Sequence, residues 1–208
     1  MESANISKKM LKRLPLYLDY LRSLPEDVQN ISATTIAREL ELGDVQVRKD
    51  LASVSAAGRQ KVGRSRKVLI RDIETHLDLA NKTGAVIVGA GKLGRALLEY
   101  RGFGEYGMTI LAGFDVNTDE KLLGPGKPVY PMNRLRSFCQ TYAVKIGIIT
   151  VPARHAQEIC DRLVACGIKA IWNFAPVQLT APEDVLIQNE NLALSMTALR
   201  IQLRSQYE

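Results

Sequence analysis

The sequence predicts an α/β protein in which a small helical region precedes a larger parallel sheet. Three observations carry this prediction: helical periodicity with a basic run in the first third, alternating buried strands and helices from residue 84 onward, and an amphipathic helix at the end. The 208 residues accommodate two domains of ordinary size, and 46% apolar with 24% charged residues is typical of globular proteins.

Composition excludes several classes of protein. The longest apolar runs, such as Ile146–Val151, are far shorter than the ~20 residues that a membrane span needs. The first residues lack a basic region followed by an apolar stretch, so we expect no signal peptide. Cys139, Cys160 and Cys166 form no CxxC pair, so we expect neither a disulfide framework nor a metal site, and a cytoplasmic location.

Three helical patterns fill the first third of the chain. Residues 7–24 repeat leucine at spacings of three and four, with Pro15 predicting a kink or a late start. Ser32 can cap a second helix, and Gly43-Asp44 form a turn before a third helix at Val45–Ser55. Helix, glycine turn and second helix together predict a helix-turn-helix.

The third helix carries candidate DNA-binding side chains. Val47 and Leu51 define its apolar face, and Gln46, Arg48 and Lys49 project away from that face. Arg and Lys pair with guanine edges or phosphates, and Gln pairs with adenine. We therefore expect this helix to enter the major groove.

Nearly all of the excess charge of the chain lies beside this helix. Residues 48–71 hold eight basic side chains and one acid, a net charge of +7, whereas the whole chain carries +6. The basic turn is followed by the apolar run Val68–Ile70, a pattern that predicts a β-hairpin wing. A solvated basic face on a small three-helix bundle is the alternative interpretation. The candidate wing residues for DNA are Arg59, Lys61, Arg64 and Arg66.

A glycine-rich motif predicts a dinucleotide site. A buried strand at 84–88 runs into Gly89-x-Gly91-x-x-Gly94, and a helix follows. The three glycines allow a tight turn, the approach of a pyrophosphate and close packing of helix on strand. A second strand ends in Asp115, which can bind the hydroxyls of the adenine ribose. No Arg or Lys follows directly, which favours NAD(H) over NADP(H).

The alternation continues to the end of the sheet. Strands are predicted at 129–130, 146–151, 168–173 and 185–188, with helices at 131–142 and 153–166. This is the pattern of a Rossmann-like doubly wound sheet, whose ligand crevice lies at the carboxyl ends of the strands. We therefore expect the loops after Val151 and Asn173 to line the crevice.

The last helix, residues 191–204, is predicted to pack against another surface through one apolar face. Leu192, Met196, Leu199 and Leu203 follow spacings of four, three and four, which form an a/d seam. The seam can pack on its own domain or on a partner subunit, and we favour the partner. The predicted domains are 1–80, 81–190 and 191–208.

The sequence indicates a cofactor that is bound but not turned over. His76 lies before the dinucleotide fold, His155 has no evident catalytic partners, and only 35 residues follow Asn173, too few for a substrate domain. A DNA-binding module joined to such a site predicts a sensor rather than an enzyme. The alternatives are an NAD-dependent oxidoreductase with a basic accessory domain, and an interaction module that binds RNA or an acidic protein.

Several segments together resemble the Rex family of redox-sensing transcriptional repressors. The resemblance is collinear over nearly the whole chain and implies a homodimer with a swapped C-terminal helix. It also implies binding to a palindromic double-stranded DNA operator when NADH is low and release when NADH rises. The segments that carry it are Lys12–Tyr17, Gln46–Leu51, Val88–Leu97, Tyr100–Phe103, Phe114–Val116 and Asn173–Val177.

Motif and resemblance together define the candidate residues for NADH and NAD⁺. Gly89, Gly91 and Gly94 are assigned to the pyrophosphate and Asp115 to the ribose, and the later loops are expected near the nicotinamide or the dimer seam. The complete set is Gly89, Ala90, Gly91, Lys92, Leu93, Gly94, Tyr100, Asp115, Val116, Thr150, Val151, Pro152, Asn173, Phe174 and Ala175.

Some positions depart from the family pattern. Asn191 stands where an acid is common, Asp19 stands where a basic residue can occur, and the wing lacks the usual Gly-Val-Gly-Tyr ending, having Lys61–Arg64 instead. An interdomain ion pair through Asp19 and Asn191 is therefore doubtful. Family drift and altered DNA affinity or NADH coupling remain equally compatible with these departures.

Overall fold

The computed structural model describes residues 7–55, 63–118 and 126–207. The chain divides into two compact units, Met1–Asn81 and Lys82–Glu208. Within the described residues no helix is long and apolar enough to cross a membrane. Cys139, Cys160 and Cys166 are free thiols.

The first unit is built on four helices. They are α1 (Lys8–Ser23), α2 (Ala33–Glu39), α3 (Asp44–Val54) and α4 (Arg66–His76). Ser7 and Ser32 cap α1 and α2 by accepting backbone N–H bonds from Met10 and Thr35. Helix α1 begins well before Pro15 and continues past it, so the late start that this proline suggested is not observed.

The apolar run at Val68–Ile70 forms no strand, contrary to the sequence prediction. It belongs to α4, where Leu69 and Ile73 are fully buried at helical spacing. The short ribbon that is present pairs β1 (Asn30–Ile31) with β2 (Arg64–Ser65) in antiparallel fashion. The predicted wing residues 58–62, including Arg59 and Lys61, lie outside the described residues.

A buried carboxylate joins α1 to α3 in the first unit. Asp50 is only 3% exposed, and its two oxygens accept the Nε and Nη2 groups of Arg13 at 2.7 and 2.9 Å. They also accept Tyr17 Oη and Gln46 Nε2, each at 2.8 Å. Burial raises the pKa of Asp50, but the hydrogen bonds from Arg13, Tyr17 and Gln46 outweigh it, so the pKa lies below its ordinary value. Burial and the neighbouring Asp50 raise the pKa of Tyr17 to about 12, so its hydroxyl stays a donor.

The second unit is a six-stranded sheet in which every pairing is parallel, as the alternation of elements predicted. The strand order is β5-β4-β3-β6-β7-β8. The order reverses between β3 and β6, and such a switch point opens a crevice at the carboxyl ends of the strands. The strands are β3 (Thr83–Val88), β4 (Met108–Asp115), β5 (Val129–Pro131), β6 (Ile146–Ile149), β7 (Ala170–Asn173) and β8 (Leu186–Asn189).

Alternate residues of the central strands belong to two separate hydrophobic cores, one on each face of the sheet. On β3, Val86 and Val88 belong to one cluster with Ile159 and Leu163, whereas Ala85 and Ile87 belong to another that includes Leu98. This period of two places helices on both faces of the sheet. Those helices are α5 (Lys92–Glu99), α6 (Leu135–Thr141) and α7 (Ala153–Ala165), and 3₁₀ turns lie at Arg101–Tyr106 and Met132–Arg134.

The last helix, α8 (Leu192–Tyr207), exposes the apolar seam that its sequence predicted. Leu192, Met196, Leu199 and Leu203 are 56–67% exposed in the single chain. Asn191 Oδ1 accepts the N–H groups of Ala193 and Leu194 at 3.1 and 3.2 Å. The asparagine that departs from the family pattern thus supplies the first turn of α8 with a hydrogen-bond acceptor.

We predict that Asp50→Asn destabilises the first unit by about 3 kcal/mol, because it removes the buried negative charge that the partly buried Arg13 guanidinium pairs with, and one of the two oxygens that accept its donors. The contribution of Asp50 is fully present above the pKa of an unfolded aspartate, about 4, and is lost as the pH falls through the lowered folded-state pKa. Urea unfolding at several pH values measures both effects. The control Glu39→Gln removes the exposed pair with Arg38 and should cost less than about 1 kcal/mol. Equal losses from the two variants would contradict this account.

Candidate functional site

The glycine-rich turn brings three backbone segments into close contact. A Cβ on Gly94 would lie 1.8 Å from the carbonyl oxygen of Gly89, so no other residue fits there without a backbone shift. Gly89 has φ +104°, and a Cβ at this position would meet the Thr150 backbone at 2.9 Å. Gly91 differs, because a Cβ there would meet nothing within 4 Å. Space for a ligand is therefore left at Gly91, next to the start of α5.

A cavity of about 390 Å³ lies beside this turn, at the carboxyl ends of β3, β4 and β6. Seven of the predicted cofactor residues line it: Gly89, Gly91, Asp115, Val116, Thr150, Val151 and Pro152. The other predicted residues, which are Ala90, Lys92, Leu93, Gly94, Tyr100, Asn173, Phe174 and Ala175, are not part of its lining. The crevice thus lies at the switch point of the sheet, where the topology places a ligand.

Asp115 holds the glycine-rich turn from the end of β4. Its carboxylate accepts the N–H of Ala90 through Oδ2 and the N–H of Asn117 through Oδ1 at 2.9 Å. An ionised carboxylate offers about four lone-pair sites, so acceptor capacity remains for the hydroxyls of a ligand. Asp115 is therefore both a support of the turn and a polar group of the cavity.

The Asn173 side chain is occupied within the protein. It is fully buried, its Oδ1 accepts Ala175 N–H at 2.9 Å, and its Nδ2 lies 2.8 Å from the Val177 carbonyl and 2.9 Å from Asn189 Oδ1. These bonds fix the loop after β7. A direct contact between Asn173 and a dinucleotide stays a prediction, and these bonds disfavour it.

Four aromatic side chains that are not part of the cavity lining form a row, and two of the predicted residues, Tyr100 and Phe174, lie at its ends. Tyr100 contacts Phe103 with ring centroids 5.1 Å apart, and Phe103 contacts Trp172 at 5.9 Å. Trp172 contacts Phe174 at 4.6 Å. Tyr100 is 58% exposed, so one end of the row faces outward. The row joins the start of the 3₁₀ turn after α5 to the end of β7.

The exposed face of α3 matches its prediction. Val47 and Leu51 are fully buried, while Gln46, Arg48 and Lys49 are exposed. Arg48 is paired with Asp44 at 2.9 Å and donates to Thr34 at 3.2 Å, yet it stays 63% exposed. These side chains are available at the surface of the second helix of the helix-turn-helix.

Two of the predicted wing arginines are engaged inside the first unit. Arg64 Nη1 donates to the Ser55 carbonyl. Arg66 donates to the carbonyls of Leu21 and Pro25, each at 2.7 Å, and to that of Arg22 at 3.3 Å. Each nitrogen of the Arg66 guanidinium thus donates to a carbonyl group at or just after the end of α1. These bonds disfavour a contact between Arg66 and DNA, which stays a prediction.

Comparison with known proteins identifies the family. Residues 80–177 match the model of a CoA binding domain, and residues 5–52 match that of a putative DNA-binding protein N-terminus. The redox-sensing transcriptional repressor Rex of Treponema denticola is 39% identical over 94% of both chains. The Rex protein of Clostridium botulinum is 38% identical over 99% of both chains. The chain belongs to the Rex family of redox-sensing transcriptional repressors.

Solved structures of a Rex-family repressor, RSP, share the fold. Its complex with NAD⁺ and operator DNA is 31% identical, with a TM-score of 0.86 over 98% of this chain and 95% of RSP. Its complex with NADH is also 31% identical, with a TM-score of 0.85 over 98% of this chain and 97% of RSP. The resemblance found in the sequence is thereby confirmed.

Sequence reasoning missed half of the cavity lining in this Rex-family chain. Among the missed residues, His155, Glu158 and Arg162 lie on α7 at spacings of three and four, which place them on one helix face. This spacing could have been found from the sequence, because Pro152 was already predicted to line the crevice and the three residues follow it on one face of the predicted helix. The other missed residues are Val88, Phe114, Met132 and Ile159. No cluster of metal-ligating side chains occurs in the described parts of the chain.

We predict that Gly94→Ala and Gly91→Ala differ sharply in their effects on the second unit. Gly94→Ala should cost about 3 kcal/mol of stability, because its Cβ needs the space of the Gly89 carbonyl. Gly91→Ala should cost about 1 kcal/mol or less, since its Cβ enters open space. Thermal unfolding followed by circular dichroism compares the two. If Gly91→Ala proves the more damaging, the assigned packing is wrong.

Proposed function

We propose that this chain is a redox-sensing transcriptional repressor, which binds a palindromic operator when NADH is low and releases it when NADH binds. The observation that carries the proposal is the open space at Gly91, beside a cavity at the switch point of the sheet, in a chain that also exposes a basic helix-turn-helix. Family membership and the RSP complexes with NAD⁺, NADH and operator DNA support it.

The dinucleotide is assigned to the cavity and the glycine-rich turn. Backbone N–H groups at the start of α5 and the positive end of its dipole suit a pyrophosphate beside Gly91. Asp115 retains acceptor capacity for ribose hydroxyls, and apolar groups such as Val116 and Met132 suit an adenine. When bound, NADH supplies the redox signal, since its concentration reports the reducing state of the cell. Tyr100, Phe174 and Ala175 stay proposed neighbours of the nicotinamide or of the dimer seam.

The operator is assigned to the exposed face of α3. Gln46, Arg48 and Lys49 are proposed to contact base edges and phosphates in the major groove. Gln46 donates one amide hydrogen to Asp50 at 2.8 Å, which leaves its oxygen and second N–H for an adenine edge. Arg59, Lys61 and Arg64 complete the proposed DNA surface.

We propose a homodimer in which the seam of α8 packs on a partner subunit, with the helix swapped between subunits. Leu192, Met196, Leu199 and Leu203 are exposed in the single chain, and such an apolar stripe is typically covered by another surface. A dimer with two-fold symmetry places two recognition helices on successive major grooves, which accounts for a palindromic operator.

Control by NADH requires two states of the dimer. NADH can release DNA only if it binds the released state more tightly, because equal affinity for both states shifts no equilibrium. We further propose that NADH is bound without turnover and that the protein acts in the cytoplasm. The names of the relatives describe transcriptional repressors and not enzymes, which supports binding without turnover, and a protein that acts on a DNA operator is compatible with the cytoplasm.

Fluorescence anisotropy of a labelled palindromic duplex tests the proposal. NADH is expected to raise the apparent Kd for the duplex by about tenfold or more, within the usual range of coupling free energies, and NAD⁺ should raise it much less. Arg48→Ala should weaken DNA binding by about tenfold and leave NADH binding intact. Loss of both activities in this variant would indicate misfolding.

If NADH does not release the duplex, the proposal that the protein is an NADH sensor is wrong. Steady-state oxidation of NADH with a small carbonyl substrate would favour the alternative, an NAD-dependent oxidoreductase with a basic accessory domain. Weak binding without preference for the palindrome would favour an interaction module for RNA or acidic proteins.

A further inference from the structure

One face of α7 brings charge into the cavity that we assign to the dinucleotide. His155, Glu158 and Arg162 line this cavity together with Asp115. The sequence argument against a 2′-phosphate relied on the lack of Arg or Lys directly after Asp115. Arg162 shows that a cation is nevertheless part of the same cavity, supplied from another element of the fold.

The charge of Arg162 is already paired. Its Nη2 donates to Glu158 Oε1 at 2.7 Å, and the two side chains are 53% and 60% exposed. An exposed pair at i,i+4 contributes little stability, so an incoming phosphate can compete with Glu158 for the guanidinium. His155 Nε2 accepts a hydrogen bond from Arg154 Nε at 3.0 Å, so this ring nitrogen is already engaged within α7.

The carboxylates and the guanidinium of the lining carry a formal net charge of −1. Asp115 and Glu158 each contribute −1 and Arg162 contributes +1. A compact cavity of about 390 Å³ is about 9 Å across, close to the Debye length of about 8 Å at physiological salt, so each of these charges acts on a ligand inside it. A phosphate monoester adds about −1.5 to −2 charges at neutral pH, and the two carboxylates of the lining would repel it more strongly than the one paired guanidinium of the lining attracts it.

We propose that Glu158 determines the specificity of the site against dinucleotides that carry an additional phosphate on the adenosine ribose. Glu158 acts in two ways: it neutralises the one guanidinium in the described lining of the cavity, and it places a second carboxylate beside the phosphate. Without Glu158 the lining sums to zero and Arg162 is free to bind the phosphate bidentately. The inference rests on the proposed function, because it assumes that the cavity receives the adenosine end of NADH.

Isothermal titration calorimetry of the full chain with NADH and with NADPH tests the inference. In Glu158→Gln, the ratio of NADPH affinity to NADH affinity should rise about fivefold or more, whereas Asp115 keeps NADH the preferred ligand. Adding Arg162→Gln to this variant should remove most of the gain, because the phosphate then loses its cation. 2′,5′-ADP and 3′,5′-ADP, titrated as minimal ligands, show which ribose position the guanidinium reaches.

Asp161→Asn provides the matched control. It removes the same charge from the same helix, but Asp161 bonds to Gln157 and is not among the cavity residues. The affinity ratio should stay unchanged in this variant. If all variants bind NADH but Glu158→Gln leaves the ratio of NADPH affinity to NADH affinity unchanged, the inference is overturned and the proposed function stands. The same holds if Asp161→Asn raises this ratio as much as Glu158→Gln does. Absence of NADH binding by the unsubstituted protein overturns the proposed function, and the inference with it.

Discussion

The close approach of Gly89, Gly94 and Thr150 fixes the architecture of the larger unit. Thr150 Oγ1 donates to the Gly89 carbonyl at 2.7 Å, and the same carbonyl leaves no room for a Cβ at Gly94. The end of β3, the start of α5 and the end of β6 are therefore held within contact distance. Because the strand order reverses between β3 and β6, this contact also fixes the position of the cavity and the open space at Gly91.

Two carboxylates position the two candidate binding surfaces in comparable ways. In the smaller unit, Asp50 ties α3 to α1 through Arg13 and orients Gln46 on the exposed face. In the larger unit, Asp115 ties the end of β4 to the glycine-rich turn through Ala90. Asp50 accepts side-chain donors from three residues and Asp115 accepts two backbone N–H groups, and in each case one donor belongs to the proposed surface or turn. The candidate surfaces therefore depend on groups that also stabilise the fold.

Local periodicity predicted most of the helices and strands. The features that sequence reasoning missed depend on tertiary contacts between residues far apart in the chain. The glycine motif, Asp115 and the alternation of strands and helices were readable, because each depends on residues close in sequence. Val68–Ile70 was assigned to the wrong class since an apolar run of three residues fits a strand and a helix equally well. The bonds from the Arg66 guanidinium to the carbonyls of Leu21 and Pro25 were not predictable, because these partners lie more than 40 residues earlier in the chain. The lining from α7 depends on how that helix packs across the sheet.

We propose that a dinucleotide in the larger unit and DNA on the smaller unit are coupled through two states of one dimer. Coupling of this kind is reciprocal, so each ligand must change the affinity of the other by the same factor. Calorimetric titration of NADH into the free protein and into its complex with a palindromic duplex measures this directly. We predict that the duplex weakens NADH binding by the same factor by which NADH weakens DNA binding. NADH binding of equal strength in both titrations would contradict it.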